Sequence, residues 1–124
     1  MPHRLYVDGD RLVVELSGLE VVEALRRRIE VPLSQVESVE APRPTWGSLR
    51  SEVALRLAGT SIPGRVMEGL FAVRGGGLGF YAVRDPSRVV VVRLRGGRLS
   101  RLVVDVEDPD AVVAEVSAAV GARG

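Results

Sequence analysis

The last third of the chain, Arg88 to Val120, constrains the fold more than any other stretch. Its pattern predicts a valine-rich strand, a Gly96-Gly97 turn, a second valine-rich strand and a sharply started helix. Asp108 can cap that helix, Pro109 stands where a missing N–H costs nothing, and Gly121 is expected to end it. Because a valine-rich helix has weak intrinsic propensity, it must pack on an apolar surface. We therefore predict that the earlier chain builds a β-sheet core for this helix.

The register of the closing hairpin can also be predicted. A plain two-residue loop at Gly96-Gly97 would place Arg101 on the same face as Val90 and Val92. One extra loop residue, as in a glycine bulge, shifts the pairing by one position, and we predict that bulge. The core face then consists of Val90, Val92, Leu94, Leu102, Val104 and Val106. The outer face then consists of Val91, Arg93, Arg95, Arg101, Val103 and Asp105.

Before this stretch, the pattern indicates short strands separated by turns. Asp8-Gly9 predicts a hairpin between strands at 4–7 and 11–16. The segment Ser17 to Glu20 resembles a capping box and predicts a short helix over residues 18–28. The Pro-, Gly- and Ser-rich segment 41–50 is predicted as a loop, and residues 58–64 as a turn-rich connection. Further strands are expected at 29–31, 36–41, 53–57, 70–73 and 78–83.

Composition excludes several kinds of chemistry. The chain has 124 residues, which predicts one domain, and its net charge is +1. It contains no Cys and no Lys, which excludes a thiol nucleophile, a Walker A loop and a Schiff base. The lone histidine, His3, stands near a terminus that we expect to be mobile, which argues against a Ser-His-Asp site and a His-rich metal site. We expect no metal and no cofactor.

Two further patterns favour ordinary structural roles. The run Gly75 to Phe80 is similar to a dinucleotide-binding fingerprint, but strand-like residues follow it where a helix should begin. The paired carboxylates, Glu20 with Glu23 and those between Asp105 and Asp110, are accounted for mainly by caps and surface positions. No catalytic constellation is visible, so we predict that the protein is not an enzyme.

The N-terminus lacks the apolar run of a signal peptide. The longest apolar runs, such as Val89 to Val92, are far shorter than the ~18 residues of a membrane span. We therefore expect a cytoplasmic protein without membrane insertion.

Three segments together resemble the bacterial pleckstrin-homology-like domains. They are IEVPLSQVESVEA, the glycine-rich hairpins, and the closing RVVVVRL…SRLVVDVEDPDAVVAEV, and the resemblance covers residues 4 to 120. It implies a mainly β (α+β) fold, with 1–124 as a single PH-like domain. The expected PH-like barrel has about seven or eight antiparallel strands in two sheets, closed by the C-terminal helix. The short extra helix near 18–28 departs from the family pattern.

The resemblance implies a non-enzymatic binding or oligomerisation module that acts on a protein partner or on itself. Family members that hold phosphoinositides use basic residues around an early loop, whereas this chain has Asp8, Gly9, Asp10 and Arg11 there, so lipid binding is not carried over. Net charge near zero argues against nucleic-acid binding through Arg26–Arg28, Arg43 and Arg50. The alternative function is a small-molecule-binding protein or an enzyme with a site at the barrel mouth.

One candidate interaction surface follows from the loop at 41–50. It consists of Arg43, Trp46 and Arg50, where an exposed indole between two guanidinium groups would form a contact patch. The alternative is that the lone tryptophan folds back onto the core.

Overall fold

A computed structural model describes residues 3–17 and 28–123, and these form a mainly β protein, which confirms the expected α+β class. The strands are β1 (Arg4–Asp8), β2 (Arg11–Glu15), β3 (Arg28–Pro32), β4 (Val36–Glu40), β5 (Val53–Ile62), β6 (Val66–Val73), β7 (Leu78–Val83), β8 (Val89–Leu94) and β9 (Leu99–Asp105). The helices are α1 (Trp46–Ser51) and α2 (Pro109–Arg123), and short 3-10 turns occupy Leu33–Gln35 and Pro86–Arg88.

The strands form two sheets. One has the order β1-β2-β3 and the other β4-β8-β9-β7-β6-β5. The expectation that all strands pair antiparallel is wrong at one place, because β9 runs parallel to β7. The turn at Pro86–Arg88 carries the chain from β7 to β8, which lies two positions away, and the closing hairpin returns β9 into the gap.

The expected barrel closure is wrong for the described residues. The two sheets are linked by a single isolated bridge, between His3 and Val106, rather than by a continuous ladder. Strand β3 pairs with β2 on one side, and none of the strands within 3–17 and 28–123 pairs with its other side. It also ends in Pro32, which has no N–H to donate to a further strand. The sheets therefore face each other across a core that is open along the β3 edge.

Two hydrophobic cores lie on opposite faces of the six-stranded sheet. The main core fills the space between the two sheets and α2, with Leu12, Leu102 and Val116 fully buried within it. The second core lies on the other face and joins Leu49 of α1 to Phe71 of β6 and several residues of β7, β8 and β9. Because both faces of β8 and β9 are covered, these strands have continuous valine runs rather than a strict alternation.

The predicted register of the closing hairpin is confirmed. Val90 pairs with Val104 and Val92 with Leu102, and Gly96 in the turn has a positive φ of 80°. All six residues of the predicted core face are buried: Val90, Val92, Leu94, Leu102, Val104 and Val106.

The prediction for the outer face is only partly right. Arg93 and Arg95 are exposed, but Asp105 is buried and Arg101 is half-buried. The second core covers this face, so Val91 and Val103 are buried as well.

Other boundaries predicted from the sequence are also wrong. Gly121 does not end α2, which continues to Arg123. The loop predicted at 41–50 contains α1, and the predicted connection at 58–64 is strand as far as Ile62. Likewise β6 begins at Val66 and not near residue 70. The helix predicted over 18–28 falls mostly outside the described residues, and Arg28, its last residue, begins β3.

Strand β5 continues through Gly59, which the sequence pattern placed in a turn, and β6 has Gly69 opposite it. Gly59 pairs with Gly69, with φ of 106° and 135° respectively. A Cβ at Gly59 would lie 2.0 Å from the carbonyl oxygen of Glu68, so the two backbones approach too closely for any side chain. The glycines therefore keep the ladder continuous at a point of close approach.

Candidate interaction surface

Helix α1 lies at the start of the longest strand and is held there by local and long-range contacts. Thr45 caps it, accepting from the backbone N–H of Ser48 at 3.1 Å, while the Ser48 hydroxyl accepts from the N–H of Thr45 at 3.2 Å. Leu49 is the anchor, with 1% of its surface exposed in the second core. A six-residue helix has little stability of its own, so this burial is what holds it in place.

A polar cluster fixes the end of α1. The hydroxyl of Tyr81 donates to Oε1 of Glu52 at 2.6 Å, and Nη1 of Arg101 donates to the same oxygen at 3.1 Å. Burial raises the pKa of Tyr81, and the hydrogen bond to Glu52 raises it further, so the phenol stays a donor. Because Tyr81 and Arg101 belong to central strands, Glu52 ties the α1–β5 junction to the middle of the sheet.

The three residues predicted as an interaction surface take different positions. Trp46 is half-buried and packs on the second core, as the core alternative expected. Arg50 is exposed one helical turn further along α1. Arg43 is exposed too, but its Nη2 lies 3.4 Å from Oδ2 of Asp110 at the start of α2. Trp46 and Arg50 thus lie together on α1, whereas Arg43 forms an ion pair with α2.

Among the residues that the structure describes, the exposed large apolar side chains lie on β5, the strand that follows α1. Leu55, Leu57 and Ile62 have 60%, 51% and 47% of their surface exposed. Strand β5 is the outermost strand of its sheet, so one side of its backbone has no ladder partner among the described strands. An edge strand of this kind is a template for pairing with another strand.

Two of the other outer strands, β1 and β4, are better protected. Helix α2 packs on both β1 and β4. On β1, the backbone N–H of Val7 donates to the carboxylate of Glu115 of α2 at 2.8 Å, which occupies an outward-facing donor. Strand β4 is short, with a register shift between Val36 and Ser38. Strand β5 has ten residues and contains a single charged side chain, Arg56.

Two register shifts interrupt the alternation of side-chain faces along β5. They fall between Val53 and Leu55 and between Arg56 and Ala58. Strict alternation places Val53, Leu55 and Leu57 on one face; Val53 is half-buried, whereas Leu55 and Leu57 are exposed. The sequence signal that could have identified this surface is the combination of apolar residues with almost no charge.

A second group, made of ionisable residues, is buried near the ends of β6, β7 and β9. Asp105 Oδ2 accepts from the backbone N–H groups of Arg84 and Asp85, and Arg84 Nε donates to Glu68 Oε1 at 2.9 Å. His3 Nδ1 accepts from the N–H of Ser17, which leaves the proton of a neutral imidazole on Nε2, 3.7 Å from Asp105 Oδ1. The expectation of a mobile terminus at His3 is therefore wrong.

This buried group contains the residue types of an acid–base site, but its side chains are too buried for a substrate to reach them. The His3 side chain is 0% exposed and that of Glu68 is 1% exposed. Burial lowers the pKa of His3, against the opposing field of Asp105, and burial raises the pKa of Glu68. In the described residues no group of His, Asp and Glu is arranged to hold a metal ion. The geometry supports a structural role, in which His3 links β1 to the end of β9.

No family of known proteins, no curated protein and no solved structure matches this chain. Within the residues that the structure describes, neither helix has the length and apolar character needed to cross a bilayer.

Proposed function

We propose that this protein is a non-enzymatic module that associates with a second copy of itself through β5. The observation that carries the proposal is a ten-residue outer strand with three exposed large apolar side chains, Leu55, Leu57 and Ile62. Membership of the PH-like family belongs to the same proposal. Its support is the motif resemblance together with two facing sheets and a capped C-terminal helix.

The second half of β5 is suited to strand addition. Residues 58–62 pair regularly with β6, because both register shifts come before Ala58. This segment is Ala-Gly-Thr-Ser-Ile and has no charge, so two copies can pair antiparallel about a two-fold axis without opposing like charges. Such pairing would join two six-stranded sheets into one continuous sheet.

The exposed apolar side chains add a contribution that backbone pairing alone lacks. Covering the free half of a leucine or isoleucine surface contributes on the order of 1 kcal/mol. Leu55, Leu57 and Ile62 together then contribute about 3 kcal/mol per subunit, before the entropy of association is subtracted. This predicts an association that depends on concentration rather than an obligate dimer.

Size-exclusion chromatography with light scattering over a wide range of concentrations tests the proposal. We expect the molar mass to rise towards twice that of the chain, and the double variant Leu55→Lys/Leu57→Lys to remain a monomer. The matched control is Ser38→Lys, which adds a cation to β4, the opposite edge of the same sheet, and should leave association unchanged. A wild-type protein that stays strictly monomeric, or a double variant that associates like the wild type, would contradict the proposal.

A further inference from the structure

A cleft lies along the side of the molecule where the two sheets fail to close. Its volume is about 510 Å³, and its walls come from β3, the turn after it, the middle of β6 and the first residues of β7 and β9. Its aliphatic lining consists of Ile29, Val31, Leu70, Leu78 and Leu99. A volume of this size is within the range of small-molecule sites, about 300–1,000 Å³.

The walls of the cleft are a continuation of the main core. Ile29, Leu70 and Leu99 pack against the buried residues of that core, yet each remains partly exposed. Half-buried aliphatic side chains that face each other across an opening leave apolar surface in contact with water. An aliphatic ligand would remove that surface from water without any rearrangement of the core.

As far as the structure describes the chain, the rim of the cleft carries two charged residues, Glu30 and Arg98, and only Glu30 is ion-paired. Glu30 is engaged, since its carboxylate lies 3.1 Å from Arg28 Nε and 3.9 Å from Arg11 Nε. Arg98 is exposed and forms no ion pair or hydrogen bond with any of the described residues. The cleft therefore combines an apolar floor with a guanidinium group that is available for an anion.

We propose that this cleft binds an amphiphile with a short aliphatic chain and an anionic head group. The chain lies against Leu70, Leu78 and Leu99, and the head group is held by Arg98. The inference is independent of self-association, because Arg98 and the β3 edge are not part of β5.

Titration calorimetry with decanoate, below its micelle concentration, tests this assignment. We expect one decanoate bound per chain, and a loss of affinity of about tenfold in Arg98→Glu, where a charge-assisted contact becomes a repulsion. The matched control is Arg95→Glu, an identical change at an exposed arginine of the same turn that does not line the cleft. It should change the affinity by less than about twofold.

Two further measurements address chain and head group separately. Decyltrimethylammonium, which has the same chain and a cationic head, is expected to bind more weakly than decanoate. Leu78→Trp should abolish decanoate binding by filling the cleft, and chemical shifts of the leucine methyl groups should show whether wild-type binding occurs there. The proposal is overturned if decanoate does not bind, if Arg98→Glu binds it as tightly as the wild type, or if the cationic amphiphile binds equally well. Should Leu78→Trp not fold, Arg98→Glu and the methyl shifts still decide the question.

Discussion

The glycine pair in the β5–β6 ladder allows a prediction whose size follows from the geometry. A methyl group at Gly59 would lie 2.0 Å from the carbonyl oxygen of Glu68 and 2.7 Å from the Cα of Gly69. Ordinary contacts begin at 3.4 Å, so the strands would have to separate by more than 1 Å here. Neither atom can swing aside, because both belong to the backbone of the facing strand.

The expected cost of Gly59→Ala has two parts. Holding a non-glycine residue at φ of 106° costs about 1–2 kcal/mol. Separating the strands also weakens the two nearest ladder hydrogen bonds, each worth about 1 kcal/mol net. We expect the free energy of unfolding to fall by about 3–4 kcal/mol, a large share of the ~5–15 kcal/mol of an ordinary domain.

The control for this experiment is Gly64→Ala, at the tip of the same hairpin. Gly64 also has a positive φ, 74°, but a Cβ there would meet nothing within 4 Å. It should lose about 1 kcal/mol, from backbone strain alone. Urea unfolding followed by circular dichroism measures both variants, and unchanged m-values would show that the unfolded states are comparable. If the two variants lose equal stability, Gly59 and Gly69 do not pair at the distance described here.

Two other predictions concern buried side chains. Leu49→Ala should lower the free energy of unfolding, measured by urea titration, by about 2–5 kcal/mol. The control is Arg50→Ala at the exposed neighbouring position, which should change it by less than about 0.5 kcal/mol. Equal effects of the two variants would mean that α1 does not pack on the second core. Burial lowers the pKa of His3 in the folded state below its ordinary value of 6.5. The contribution of the neutral imidazole to the free energy of unfolding is therefore fully present above pH 6.5, and it is lost as the pH falls through the folded-state pKa. We expect the imidazole proton signal, which is unambiguous for a single histidine, to titrate below 6.5, and His3→Gln to lose less stability on acidification; a pKa above 6.5 would show that the Asp105 contact outweighs burial.

The closing hairpin shows what a sequence pattern can determine. Its register was predictable because one choice put Arg101 among valines and the other did not, and a shift of one residue exchanges the two faces completely. The burial of Asp105 was not predictable by the same reasoning. The residues that cover its face, such as Leu49 and Phe71, come from distant parts of the chain, and no local pattern indicates which face they will cover.

The errors in the middle of the chain have a common cause. Glycine and proline at 41–50 and 58–64 predict turns, although contacts with other parts of the chain give both segments regular structure. Helix α1 depends on the Thr45 cap and on the burial of Leu49, and Gly59 depends on Gly69 of the facing strand. The candidate sites could not be predicted from local sequence patterns either. Strand order decides that Leu55 and Leu57 are exposed and that the cleft is open.

Both proposed binding surfaces follow from the way α2 covers the sheets. Two sheets that do not close into a barrel have four outer strands, β1, β3, β4 and β5. The helix packs on β1 and β4, and Glu115 occupies a backbone donor on β1, so strand pairing there would have to displace the helix. In the part of the chain that the structure describes, the edges that α2 leaves open are β5, which is long and nearly uncharged, and β3, which carries charge and borders an apolar cleft. Strand β5 has the length and low charge needed for pairing with an identical strand, and the cleft beside β3 has the apolar surface and the charge needed for binding an amphiphile. Self-association and ligand binding would then use different strand edges, and decanoate should leave the molar mass unchanged.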